Sequence, residues 1–191
     1  MVHSRLIVAL ALLAGSGAAM AHSGHHGAGF ATGFAHPFSG LDHLLAMVAV
    51  GLFATRMQGA SRVAVPGAFV LAMIVGALAG AGGFVMPLQE AGIAASLLVF
   101  GLALAVALRA PTALALPMVA FFGLFHGSAH FAEMGAGSLV TYMAGFVAAT
   151  AALHVAGFAL GQWMPRSSLG RVAKQATGVA IAATGAVMLG A

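Results

Sequence analysis

Cysteine is absent and charge nearly so: seven Lys or Arg and three Asp or Glu stand among 191 residues. Without cysteine there is no disulfide, no thiolate metal site and no thiol nucleophile. A water-facing globular surface needs about a quarter of its residues charged. At 5% charged and 62% hydrophobic, this chain cannot cover one. A soluble enzyme, a nucleic-acid-binding protein and a disordered chain are thereby excluded, leaving an integral membrane protein of one domain. The net charge of +4 does not restore a nucleic-acid partner, because scattered basic residues make no patch. No Gly-rich Walker loop is present, so the chain carries no P-loop ATPase of its own. What is plentiful is histidine, with nine residues.

Arg5 precedes an apolar stretch from Leu6 to Leu13, followed by small residues from Ala14 to Ala19. That stretch is too short to cross a bilayer, and Ala19-Met20-Ala21 fits an A-x-A cleavage site. The pattern predicts a signal peptide over 1–21, with an uncleaved first helix as the alternative. A His-containing periplasmic segment over 22–37 follows, then a transmembrane domain over 38–191. The domain holds apolar stretches at 38–55, 64–86, 91–108, 112–133, 138–161 and 172–190. Each approaches the length needed to cross about 30 Å of hydrocarbon at about 1.5 Å per residue. The connections are short, so neighbouring helices run antiparallel. The expected fold class is an all-α membrane protein: a cleavable signal peptide followed by a six-helix transmembrane bundle, N-terminus periplasmic.

The charges agree with this topology. Arg56 and Arg62, then Arg109, then Arg166, Arg171 and Lys174 fall in the three inner connections, as the positive-inside rule requires. Asp42, Glu90 and Glu133 fall at outer ends. The expected location is the bacterial inner membrane, crossed several times. Gly76-x-x-x-Gly80 and Gly157-x-x-x-Gly161 are spacings that let helices approach closely. Tyr142 and Trp163 read as interfacial anchors.

Ionisable groups within spans are costly and mark sites or pathways. The first constellation is His36-Pro37-Phe38-Ser39-Gly40-Leu41-Asp42-His43. Pro37 suits a helix start, and His43 follows His36 by seven residues, two turns down the same face. Asp42 either ligates directly or holds a histidine tautomer. Met47, one turn below His43, offers a soft ligand. The second constellation is His126-Gly127-Ser128-Ala129-His130-Phe131-Ala132-Glu133. Its two His at i,i+4 and the Glu three further on share one helical stripe. Imidazole with carboxylate suits Ni²⁺, Co²⁺ and Zn²⁺. The candidate metal ligands are therefore His36, Asp42, His43, His126, His130 and Glu133, with His154 and Met47 as lesser candidates. His154 reads equally as an exit-path ligand or a helix–helix hydrogen-bond partner. The cluster His22-Ser23-Gly24-His25-His26 reads equally as a metal-capturing tract or a polar tail.

The motif His36-Pro37-x-x-Gly40-x-Asp42-His43-x-x-x-Met47-x-x-x-Gly51 resembles the first-helix signature of the HupE/UreJ family. His126-Gly127-x-Ala129-His130-x-x-Glu133 resembles its fourth-helix motif, with Phe131 where the family pattern suggests glycine. Tyr142-x-x-Gly145-Phe146 and Leu153-His154-x-x-Gly157 resemble its fifth helix. The family comprises hydrogenase and urease accessory proteins acting as nickel permeases. The resemblance implies import of Ni²⁺ or Co²⁺ as substrate, with no cofactor and no enzymatic activity. Its implied partners are the metal ion, the lipid bilayer and cytoplasmic nickel chaperones, and a homo-oligomer is compatible.

Two rival classes use the same residues. One is an intramembrane metal-dependent hydrolase with Ser39 or Ser128 near the His and Asp. The other is a metal-sensing accessory subunit that transports nothing. The absence of H-E-x-x-H and G-x-S-x-G motifs counts against the hydrolase. Sequencing of the protein purified from membranes is expected to begin at His22. A chain still starting at its initial residues would refute the cleaved signal peptide.

Overall fold

A computed structural model of the protein describes residues 29–165 and 167–190. The signal-peptide stretch 1–21 and the cluster His22 to His26 lie outside the described residues. All the elements of the described residues are helical. They are α1 (Phe30–Ala35), a 3-10 turn (His36–Phe38), α2 (Leu41–Ala54), α3 (Ser61–Ala81), α4 (Gln89–Ala105), α5 (Thr112–Glu133), α6 (Leu139–Trp163) and α7 (Ser168–Gly190).

Four of these, α3, α5, α6 and α7, have 21 to 25 residues and are long and apolar enough to cross a membrane. Their outward faces are greasy: Leu71, Val75 and Leu78 of α3, Val155 of α6, and Val179 and Val187 of α7 are exposed. Hydrocarbon, not water, suits such a surface. The chain is a multi-pass membrane protein. The third predicted stretch appears as α4, an apolar helix of 17 residues.

The first predicted stretch differs from expectation. A continuous helix from residue 38 is replaced by two helical pieces bent by 83°. Pro37 opens the 3-10 turn, where its missing N–H costs no hydrogen bond. Gly40 then runs extended, at φ −109° and ψ 129°, as the cap of α2. A side chain at Gly40 would collide with the Asp42 carboxylate and crowd the His43 ring. The segment 22–37 also proves partly structured, because α1 lies within it.

The helices pack mainly in pairs: α3 with α5, α4 with α7, and α6 with both α1 and α2. Lipid tails are as apolar as leucine, so close van der Waals contact has to hold such pairs together. Glycine provides it. A Cβ at Gly127 of α5 would strike the Met73 carbonyl of α3, and one at Gly76 of α3 would strike the Leu124 carbonyl of α5. The contact is reciprocal, backbone against backbone. Gly51 and Gly157 set the same approach between α2 and α6, against the carbonyls of His154 and Val48. Phe131 is accommodated likewise, its ring lying over Gly80.

The core between the pairs is filled by Met47, Phe53, Phe69, Met73, Phe100 and Phe146, all fully buried. The Gly127→Ala variant must push α3 and α5 apart, at a cost of about 1–3 kcal/mol. Its melting temperature in detergent is expected to fall clearly below that of the parent. An unchanged value would show that the close approach is not required.

Candidate metal centre

Three elements converge at the end of the bundle that carries the acids. The 3-10 turn brings His36, the first turn of α2 brings Asp42 and His43, and the last two turns of α5 bring His126, His130 and Glu133. The ring centroids of His43 and His130 are 4.4 Å apart. Those of His36 and His130 are 4.8 Å apart, and those of His43 and His126 are 5.4 Å apart. The four imidazoles thus form a file: His36, His130, His43, His126. Glu133 closes its mouth, with Oε2 at 2.8 Å from His36 Nε2.

The bend makes this possible. In one continuous helix, seven residues would set His36 and His43 about 10.5 Å apart in rise alone. Across the bend their rings are 6.1 Å apart. His36 thereby reaches α5 as well as α2. One ligand atom each of His36, His130 and Glu133 can be chosen so that all three lie within 4.8 Å of one another.

Hydrogen bonds set which ring nitrogens are available. His43 Nδ1 lies 2.9 Å from Asp42 Oδ1, and the same oxygen accepts the His43 backbone N–H at 2.8 Å. The carboxylate accepts, so the proton sits on Nδ1 and the lone pair on Nε2. Asp42 therefore holds the tautomer through Oδ1, one of the two roles open to it from sequence. His126 is set the same way, its Nδ1–H donating to the Phe122 carbonyl at 3.0 Å. His43 Nε2, His126 Nε2 and both nitrogens of His130 are buried without a hydrogen-bond partner among the described residues. Buried imidazole nitrogens are ordinarily paired. Leaving such atoms in one cluster is costly, and a cation seated among them would satisfy the lone pairs of His43 Nε2, His126 Nε2 and one nitrogen of His130.

His154 lies deeper, on α6, almost fully buried and with Nε2 again unpartnered among the described residues. The Phe69 ring touches both the file and this residue, 5.1 Å from the His126 ring and 5.4 Å from that of His154. Met47 packs in the apolar core.

Several other residues stand differently from expectation. Tyr142 is 2% exposed, and its ring lies 6.0 Å from that of His36. It is a wall of the cluster and not an interfacial anchor, because α1 packs over it. Trp163, in contrast, is exposed at the far end of α6. Phe146 presses closely against His130, with centroids 3.7 Å apart and the rings tilted by 45°. Phe146 stood in the sequence only as part of the fifth-helix motif, with no role attached, and Phe69 had no signal at all, since phenylalanine is unremarkable in so apolar a chain. Ser128 Oγ accepts from the Met86 N–H at 3.0 Å and from Gln89 Nε2 at 2.6 Å. It ties the connection between α3 and α4 onto α5. Ser39 Oγ donates to the His36 carbonyl at 2.6 Å.

The fold and the site together define a multi-pass helical membrane protein with a buried polyhistidine centre near one membrane face. Comparison with known proteins places it more closely. The family model described as HupE / UreJ protein matches residues 10–188. Protein HupE of Rhizobium leguminosarum bv. viciae is 41% identical over 190 residues, covering 99% of each chain. The chain belongs to the HupE/UreJ family. No solved structure matches it.

Replacing Asp42 by Asn removes the charge that fixes the His43 tautomer. Affinity for Ni²⁺, titrated into the purified protein, is expected to fall about 10- to 100-fold. Unchanged affinity would show that the carboxylate does not orient a ligand.

Proposed function

We propose that this protein is an inner-membrane permease that imports Ni²⁺, with Co²⁺ as a second substrate, for the maturation of hydrogenase or urease. The cluster of buried imidazole nitrogens without partners, capped by Glu133, is the observation that carries this reading. In this reading the bent pair of α1 and α2 counts as one crossing, and α3 to α7 supply five more. The mature N-terminus and the acidic end face the periplasm, and the arginine-bearing connections face the cytoplasm.

The ion enters at His36 and Glu133, where a carboxylate and an imidazole begin to replace its water. His130 and His43 take it next, the latter through Nε2, whose lone pair the Asp42 contact leaves free. His126 passes it inward. The Phe69 ring touches both His126 and His154, and in this reading it moves aside as the ion passes from one to the other. Such file-like ligation suits a borderline cation that prefers nitrogen donors. No ATPase motif is needed. A divalent ion moving inward across about 100 mV gains about 4.6 kcal/mol, from about 2.3 kcal/mol per charge. That drives facilitated diffusion while chaperones keep cytoplasmic metal scarce.

The hydrolase alternative loses support from the serines. Ser128 is engaged as an acceptor of two hydrogen bonds, and Ser39 donates to a carbonyl. Neither is hydrogen-bonded to a histidine side chain in these contacts, as an activated nucleophile would be.

The decisive assay is uptake of radioactive nickel by cells lacking other importers. The parent chain is expected to restore uptake. His43→Ala and His130→Ala are expected to lower it at least about tenfold, since each removes a ligand, with the protein still present in membranes. Full uptake by both variants would overturn the assignment. Metal binding without any uptake by the parent would favour the sensing subunit.

A further inference from the structure

At the end of the bundle opposite the imidazoles, a cleft of about 460 Å³ opens. Three separate parts of the chain aim cations into it. Arg56 comes from the connection of α2 to α3 and Arg62 from the start of α3, Arg109 from the connection of α4 to α5, and Arg171 and Lys174 from the start of α7. The amide of Gln162 adds a neutral polar group. The chain has three side-chain carboxylates, Asp42, Glu90 and Glu133, and none lines the cleft. Arg62 spends one donor on the Met57 carbonyl, at 3.1 Å. Arg56 is half-buried, and burial together with the neighbouring Arg109 guanidinium pushes its pKa below the ordinary value.

The positive-inside rule accounts for the sign of these connections. It would be met equally by cations spread over the surface, and it does not require three connections to turn their charges into one concavity. The guanidinium groups of Arg56 and Arg109, with no side-chain carboxylate lining the cleft, repel one another, which an anion would relieve. Guanidinium groups are the side chains best shaped to take a phosphate by paired hydrogen bonds. The volume lies within the range of small-ligand sites, about 300–1,000 Å³. Basic pockets between transmembrane helices on the cytoplasmic side are also where anionic headgroups seat.

We infer that this cleft binds a phosphate-bearing anion, held chiefly by Arg56 and Arg109. The source is either the headgroup of an anionic phospholipid or free phosphate from the cytoplasm. The inference stands apart from the metal reading, since it concerns the other end of the molecule. It bears on transport nonetheless: an unneutralised ring of arginines would repel a divalent cation leaving on that side, and a bound phosphate cancels that field.

The test uses the full chain in nanodiscs of phosphatidylcholine, with or without a minority of phosphatidylglycerol. Melting temperature and the lipid retained after transfer to detergent, by native mass spectrometry, are the readouts. Inorganic phosphate added to pure phosphatidylcholine discs is the second arm. The parent is expected to be stabilised in one arm, and that arm names the source. The Arg56→Gln/Arg109→Gln variant is expected to bind the same anion roughly tenfold more weakly. Its melting temperature in phosphatidylcholine alone is expected not to fall, because a like-charge contact has been removed. Retention of phosphatidylglycerol after transfer separates a seated headgroup from attraction to a charged bilayer. If the double variant does not fold, Arg109→Gln alone carries the comparison. Stabilisation by neither anion, or equal binding by parent and variant, would overturn the inference.

Discussion

The whole of the acidic end depends on one backbone event, the turn between Pro37 and Gly40. Proline removes a donor and glycine runs extended, so the chain leaves α1 and enters α2 at a steep angle. His36 is swung across to α5, where Glu133 meets it. Asp42 is left in the first turn of α2, beside the ring it holds. Without the bend, His36 and His43 would be stations on one helix, reaching α5 at different depths. With it, two elements from one sequence motif meet the same stripe of a third.

The second constraint is the glycine contacts that set helix separation. Imidazole rings can meet across a bundle only if their backbones are held at short, fixed distances. Gly127 sits between the ligand candidates His126 and His130, and it is the residue that seats α5 on α3. Gly51 and Gly157 fix α2 on α6, and His154 supplies the carbonyl that Gly51 touches. Site and packing therefore share residues. A membrane protein with little polar material to spare has placed its ligand candidates beside its tightest helix contacts.

Much of this was legible in the sequence. The spacing of His126, His130 and Glu133 gives one stripe on any regular helix, and the structure keeps them on α5. The segregation of Asp42 and Glu133 from the arginines separates the two ends of the bundle before any fold is known. Other features were hidden for physical reasons. The relation of His36 to His43 looked like helical periodicity, but the period says nothing about a bend, and the helix breaks between them. The helix at Phe30–Ala35 lies in a stretch too short and too small-residue-rich to stand out from a loop. Tyr142 follows a statistical preference for interfaces only when nothing covers it, and here α1 does. Phe69 and Phe146 carry no polarity contrast, so their contacts with His126, His154 and His130 appear only in three dimensions.

Phe69 has one more consequence. Its ring sets apolar carbon against both the His126 and the His154 rings. A chain of hydrogen-bonded waters cannot run through such a ring, and protons cross membranes most readily along such chains. Under the permease reading, a metal ion is handed from one imidazole to the next as the ring moves, and the ring itself offers a proton no relay. In that reading, the side chain touching both imidazoles is one that can neither ligate an ion nor carry a proton.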